Sequence, residues 1–176
     1  MEMEIKMSDP LHPVLIAEAR RRLIGESLPR IRKCLGELSQ EHLWHRPNEN
    51  TVSAGNLVLH MIGNIRQWIL CGLGEAEDRR QRQKEFDESG AHTTEELITE
   101  LEAVMAKVGD ILDEITQEQL LSEKMIQGFQ ETGLSILVHV IEHTSYHTGQ
   151  VTYITKTLNN MDLKYYEGFD LNKTSV

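Results

Sequence analysis

Basic residues are scarce beside acidic ones: 18 Lys and Arg face 28 Asp and Glu, a net charge of −10 with histidine neutral. So acidic a surface repels phosphate backbones and anionic lipid, which argues against nucleic acid and membrane surfaces as partners. Cysteine is short too. Cys34 and Cys71 stand too far apart for a C-x-x-C, and two alone make no disulfide framework, so a reducing compartment is expected. Prolines number only 4 and aromatics 5%, while Leu, Ile, Glu, Gln and Lys are plentiful, a balance that favours helix over sheet. Long hydrophobic runs are missing as well. The most apolar stretch, 57–73, is interrupted by His60, Asn64, Arg66 and Gln67 and is too short and polar to span a bilayer. The opening MEMEIKMSDP carries acids where a signal peptide has its basic region, so a cytoplasmic protein is expected. What remains is ordinary globular composition, 39% hydrophobic and 26% charged, in 176 residues that suit one domain with a core over about 11–158.

Four long helical patterns run through the chain, with no repeat or linker between them. The first covers about 10–39, with Ile24, Leu28, Ile31, Leu35 and Leu38 on one face. Pro29 falls inside it and removes a backbone donor, predicting a kink or break near Glu26. The segment EHLWHRPNENTVS reads as a connection. The second helix starts at a cap on Thr51 or Ser53 and runs to Gly72. A charged stretch, GEAEDRRQRQKEFDESG, follows; it has little to bury except Phe86 and reads as a loop with at most a solvated helical turn. Thr93 and Glu96 form a T-x-x-E capping box opening the third helix, whose Leu97, Leu101, Val104, Met105, Val108, Ile111, Leu112 and Ile115 keep helical spacing. The stretch 119–133 reads as irregular, with room for a short extended piece, and the fourth helix covers about 134–158. Amphipathic helices of this length bury a core only against one another, so the expected fold is all-α, a four-helix bundle.

The histidines point to chemistry. His139, His143 and His147 lie at i, i+4 and i+8 on the fourth helix, nearly above one another. His143 and His147 fall within the stripe set by Ile136, Val140, Val151, Ile154 and Leu158, and Gln150 joins them. Polar rings on a core-facing stripe need partners, since leaving one unsatisfied costs about 1–3 kcal/mol. Two imidazoles one turn apart form a bidentate clip for a transition metal, or are core histidines hydrogen-bonded to backbone or Gln150; the pair alone leaves both open. The HExxH of zinc proteases is absent: the run is H-T-S-Y-H. His60, on the second helix, is the candidate third ligand, on a narrow polar stripe with Asn56, Asn64 and Gln67 that favours an inward site. Asn56, Asn64 and Gln150 either orient ligand imidazoles or contact substrate, or are plain interface amides. His139, on the same side as His143, is a candidate fourth ligand, a donor behind the ligands or a substrate contact, with a hydrogen-bonded or path-lining role favoured. His12, His42, His45 and His92 carry no signal. Cys34, Cys71, Trp44 and Trp68 read as packing residues.

The lead-in LWHRPNENTVSAGNLVLHMIGNIRQWI, followed some way on by LVHVIEHTSYHTGQVTYI, resembles the DinB/YfiT-like family of damage-inducible helical metalloproteins. The W-x-R-P lead-in, the isolated helical histidine and the H-x3-H-x-G-Q ending carry the resemblance, which extends over about 11–158. It implies a four-helix bundle, typically homodimeric, that holds one divalent metal (zinc, nickel or iron) through His60, His143 and His147. His139 matches an upstream histidine that is not usually a ligand. The family's frequent HRGQ is HTGQ here, with Thr148 in the arginine position. Members with assigned activities use low-molecular-weight thiols, as S-transferases or as a thiol-dependent isomerase. The resemblance therefore implies a metal-dependent enzyme acting on a small molecule, with thiol S-transfer favoured. A metal-dependent hydrolase and a non-catalytic, stress-related metal-binding bundle are the alternatives.

Overall fold

The computed structural model describes residues 11–74 and 76–174; the expected start of the first helix at Pro10 lies outside them. The first long helix begins as an α-helix over Leu11–Arg20, widens to a π-helix over Arg21–Ser27 and returns to α over Leu28–Glu37. The π segment lies just before Pro29, where an irregularity was expected. Leu28 N–H reaches back five residues to the Leu23 carbonyl, and the wider turn carries the helix past a residue that has no N–H of its own. The widening also turns the buried face, so Leu23, Ser27, Ile31, Cys34 and Leu35 are buried, while Ile24 and Leu28 pack only partly.

The connection that follows holds a short helix, Gln40–Trp44, capped by Ser39. The second long helix is capped by Ser53, whose side chain pairs reciprocally with Asn56, and runs as α over Ala54–Ile65 and π over Arg66–Cys71. Trp44 lies flat against its start. A Cβ on Gly55 would come within 2.8 Å of the indole, so only glycine allows that approach. The third long helix, Thr94–Glu114, opens with the Thr93–Glu96 capping box and buries Leu97, Leu101, Val104, Met105, Val108 and Leu112.

A short helix, Gln117–Leu121, then leads into a two-stranded antiparallel hairpin, β1 Glu123–Ile126 and β2 Phe129–Thr132, with Ile126 opposite Phe129. Its two-residue turn places Gln127 at φ 50° and Gly128 at φ 85°, the left-handed pair that matches strand twist. The Gln127 side chain accepts a hydrogen bond from Trp68 Nε1 at 3.0 Å, tying the hairpin to the second helix.

The fourth long helix, Gly133–Asn159, is capped by Thr132 and ends at Asn160 in the left-handed region. Its core stripe includes Thr144, Thr148 and Thr155 besides Ile136, Leu137, Val140 and Val151. Thr148 and Thr155 donate their hydroxyls to carbonyls one turn earlier, which lets a polar side chain stay buried. Beyond this helix the chain folds back. Leu163 is buried, and the Tyr165 hydroxyl sits 3.0 Å from Cys34 Sγ and 2.9 Å from Thr152 Oγ1. The described residues thus form an all-α helical bundle with one small hairpin, and no described helix is long and apolar enough to cross a membrane.

Candidate metal centre

The polar stripe of the second helix faces inward. Asn56, His60, Asn64 and Gln67 are all buried, at 1–8% exposure. Opposite them the fourth helix presents His143 and His147, partly buried. His60 Nε2 lies 3.1 Å from His143 Nε2, and His147 Nε2 lies 3.2 Å from the same atom. One ring nitrogen from each residue falls within 4.8 Å of both others. For comparison, a tetrahedral ion with bonds of about 2.0–2.1 Å keeps its nitrogen ligands roughly 3.3 Å apart.

The outer nitrogens fix the protons. His60 Nδ1 lies 2.9 Å from Glu85 Oε2, and an ionised carboxylate only accepts, so Nδ1 carries the hydrogen and Nε2 a lone pair. His147 Nδ1 lies 2.6 Å from Gln150 Oε1, which gives the same assignment. His143 Nε2 therefore faces two lone pairs, and its own Nδ1 is buried without a partner. Neither position for its one proton satisfies the cluster. On Nε2 the proton meets one acceptor of two and orphans the Nδ1 lone pair; on Nδ1 it is an unmet buried donor and three lone pairs face one another. A cation among the three nitrogens removes the conflict of the three facing lone pairs in the second arrangement, leaving only the Nδ1 donor unmet.

Their surroundings keep the fourth-helix rings neutral. Burial, followed by the neighbouring His147, His60, His139 and Arg80, pushes His143 down to about 3. Burial also lowers His147, against the hydrogen bond it donates to Gln150, and lowers His139.

His139 lies off the convergence. Its ring stacks on Trp68 at 3.9 Å between centroids, and Nε2 lies 3.3 Å from Asn64 Nδ2. Asn56 makes its hydrogen bonds away from the imidazoles. It donates to the carbonyls of Glu85 and Glu88 and so moors the segment that carries Glu85. Asn64 reaches His139 and leaves its Oδ1 buried and unpartnered. Tyr146, exposed, accepts from Gln150. Cys34 and Cys71 are not part of the cluster.

The charged stretch departs from its expected character as a solvated loop. It forms a helix, Arg82–Asp87, that places Phe86 4.8 Å from the His60 ring. It also buries Arg80 and Glu85, at 5% and 11% side-chain exposure. Arg80 Nε and Nη2 grip the two Glu85 oxygens at 2.7 and 2.9 Å. Arg80 Nη1 donates to Gln67 Oε1, and Gln67 Nε2 to Asp78. Burial raises the Glu85 carboxyl, but the bonds from Arg80 and His60 more than reverse this and hold it below the ordinary range. A depression of about 450 Å³ lies on the other side of this pair, lined by Arg66, Arg79 and Lys84 among others; the triad does not line it.

Residues 17–167 match the model of the family described as protein of unknown function DUF1572. The chain belongs to this family. A relative, the uncharacterized protein YjoA of Bacillus subtilis strain 168, is 25% identical over 135 residues, covering 74% of this chain and 83% of that protein. The DinB-like protein YjoA has a solved structure that aligns with a TM-score of 0.65 at 21% identity, over 86% of this chain and 96% of that one. A conserved protein from Enterococcus faecalis aligns at 0.68 and 18% identity, over 82% and 97%. A DinB-like protein from Bacillus cereus ATCC 10987 aligns at 0.61 and 20% identity, over 77% and 87%. The fold of this DUF1572 member is therefore DinB-like, in accord with the resemblance carried by its motifs.

Proposed function

We propose that this DUF1572 member is a metal-dependent enzyme acting on a small molecule, with His60, His143 and His147 holding one divalent transition metal. The observation behind this reading is the set of three converging ring nitrogens that no arrangement of protons satisfies. Neutral imidazoles suit zinc, nickel and iron. An ion held by these three imidazoles would supply Lewis acidity, which would favour the anionic form of a thiol or a water near neutral pH.

The remaining work falls to the chain. Glu85 and Gln150 each accept from a Nδ1–H and so orient two of the three rings. Burial keeps His143 and His147 uncharged, which leaves lone pairs rather than protons facing the centre. Phe86 packs against His60 and shields that ring from water. Neither cysteine of the chain is part of the triad, so thiol transfer, which the family resemblance suggests, would need a low-molecular-weight thiol as cosubstrate. Thiol S-transfer is accordingly the favoured reaction, on the strength of the family resemblance.

Elemental analysis of protein from metal-replete cells tests the site. We expect about one metal per chain, lost in His60→Ala, His143→Ala and His147→Ala while the helical circular dichroism persists. Turnover of electrophilic substrates only with added thiol supports transfer; turnover of esters or amides without thiol identifies a hydrolase instead. Metal bound without either activity reduces the reading to a metal-binding bundle. No metal after reconstitution overturns it.

A further inference from the structure

We propose that Glu85, gripped by Arg80, is the positioning residue for His60: it holds the imidazole as the Nδ1–H tautomer, so that the Nε2 lone pair faces His143 and His147. The inference builds on the metal reading, because its consequence is a His60 nitrogen ready to bind a cation.

The first argument is placement. Arg79 and Arg80 are neighbours of one type, yet Arg79 pairs with Glu77 in solvent, at 81% and 71% side-chain exposure. Arg80 and Glu85 instead give up water, a costly move that a pair merely fastening a surface segment has no need to make. The cost is offset only where the geometry saturates the charges, and here it does. Glu85 Oε1 accepts from Arg80 Nε, and Oε2 accepts from both Arg80 Nη2 and His60 Nδ1. The third arm of the guanidinium, Nη1, is taken by Gln67.

The second argument is the notch that admits the pair. Gly63, one turn after His60, has no side chain; a Cβ there would come within 2.0 Å of Glu85 Oε1 and 3.0 Å of Arg80 Nε. A glycine in mid-helix costs stability relative to alanine, and the space it leaves is occupied by these two polar groups.

The third argument is mooring at two points along the second helix. Asn56 holds the Glu85 backbone from the second helix, and Gln67, itself bonded to Asp78, holds Arg80. Hydrogen bonds of this kind to the outer nitrogen of a ligand histidine fix its tautomer and orientation and raise its basicity.

The geometry also says what happens when the carboxylate goes. Arg80 Nη2 lies 3.1 Å from His60 Nδ1, and both point donors at the shared oxygen. Without Glu85 that guanidinium N–H becomes a donor to Nδ1, and the ring proton moves to Nε2, where it blocks the site.

The test uses the full chain. Long-range 1H–15N spectra of the metal-free protein report the His60 tautomer, and chelator competition with the cobalt(II) absorption spectrum reports metal binding. Expected results are Nδ1–H in the wild type and Nε2–H in Glu85→Ala, with zinc affinity lower by about 10- to 100-fold. In Glu85→Gln, whose amide oxygen still accepts, affinity should fall between the two; exposed Lys84→Ala should match the wild type. Nε2–H at His60 in the wild type, or an unchanged tautomer in Glu85→Ala, overturns the proposal. If Glu85→Ala does not fold, Glu85→Gln decides, and wild-type affinity and cobalt spectrum in that variant overturn it. A wild type that takes up no zinc, yet shows the tautomer switch, sinks the metal reading and leaves the positioning role. A wild type that binds zinc through the triad, with Glu85 variants unchanged in both readouts, does the reverse.

Discussion

Gly63 illustrates how much one absent side chain decides. It stands on an otherwise apolar, helix-favouring segment, and the space it leaves is filled by Glu85 and Arg80 rather than by a hydrophobic neighbour. In Gly63→Ala the new methyl has to displace a hydrogen-bonded carboxylate. We expect an overpacking loss of about 1–3 kcal/mol in urea unfolding, despite alanine's better helix propensity, together with weaker metal binding. A variant more stable than wild type would show that the pair yields easily. At the same scale, the histidines were legible in the sequence because helical spacing sorts them onto a face. His143 and His147 interrupt an apolar stripe, His60 stands on a narrow polar one, and the structure brings the three together. Arg80 and Glu85 were not legible. In RRQRQKE nothing local separates a buried arginine from its solvated neighbour, and only the packing of that segment against Gly63 and Gln67 does so. The mid-helix glycine was the one available hint.

At the scale of elements, the caps carry much of the punctuation. Thr93 accepts from Glu96 N–H while Glu96 returns a bond to Thr93 N–H, satisfying two donors at the start of the third helix. Thr93→Ala should cost about 1 kcal/mol in chemical denaturation and leave metal content unchanged, since the cap lies outside the triad. The four long helices were readable from their apolar periodicity. The π segments were only partly so: Pro29 announces the first, whereas nothing in Arg66–Cys71 announces the second. The second matters for the site, because it buries the adjacent residues Gln67 and Trp68, the former holding Arg80 and the latter stacking on His139. The hairpin escaped a definite reading because its strands are four residues each, too short for alternation to stand out.

For the whole molecule, the buried neutral histidines set a pH dependence. His143 titrates at about 3 in the folded protein, below the 6.5 of an unperturbed ring, so between those values the unfolded chain binds more protons. Its contribution is full above the unfolded value and is lost progressively as pH falls toward the folded one. His147 and His139 shift in the same direction. Glu85, also depressed, adds a loss at lower pH as its carboxyl takes up a proton. Metal-free protein should therefore have a lower urea midpoint at about pH 5 than at about pH 7.5, with a slope of up to about 1.4 kcal/mol per pH unit for each histidine. Equal midpoints would mean that the rings are already solvated.

The chain segment that folds back after the fourth helix has a bearing on chemical selectivity. Cys34 is fully buried, with its sulfur against the Tyr165 hydroxyl, and burial raises the thiol of Cys71. Thiol–disulfide exchange needs an accessible sulfur in its thiolate form. While Tyr165 stays docked, Cys34 is therefore closed to mixed-disulfide formation with added small thiols and to alkylation by added electrophiles.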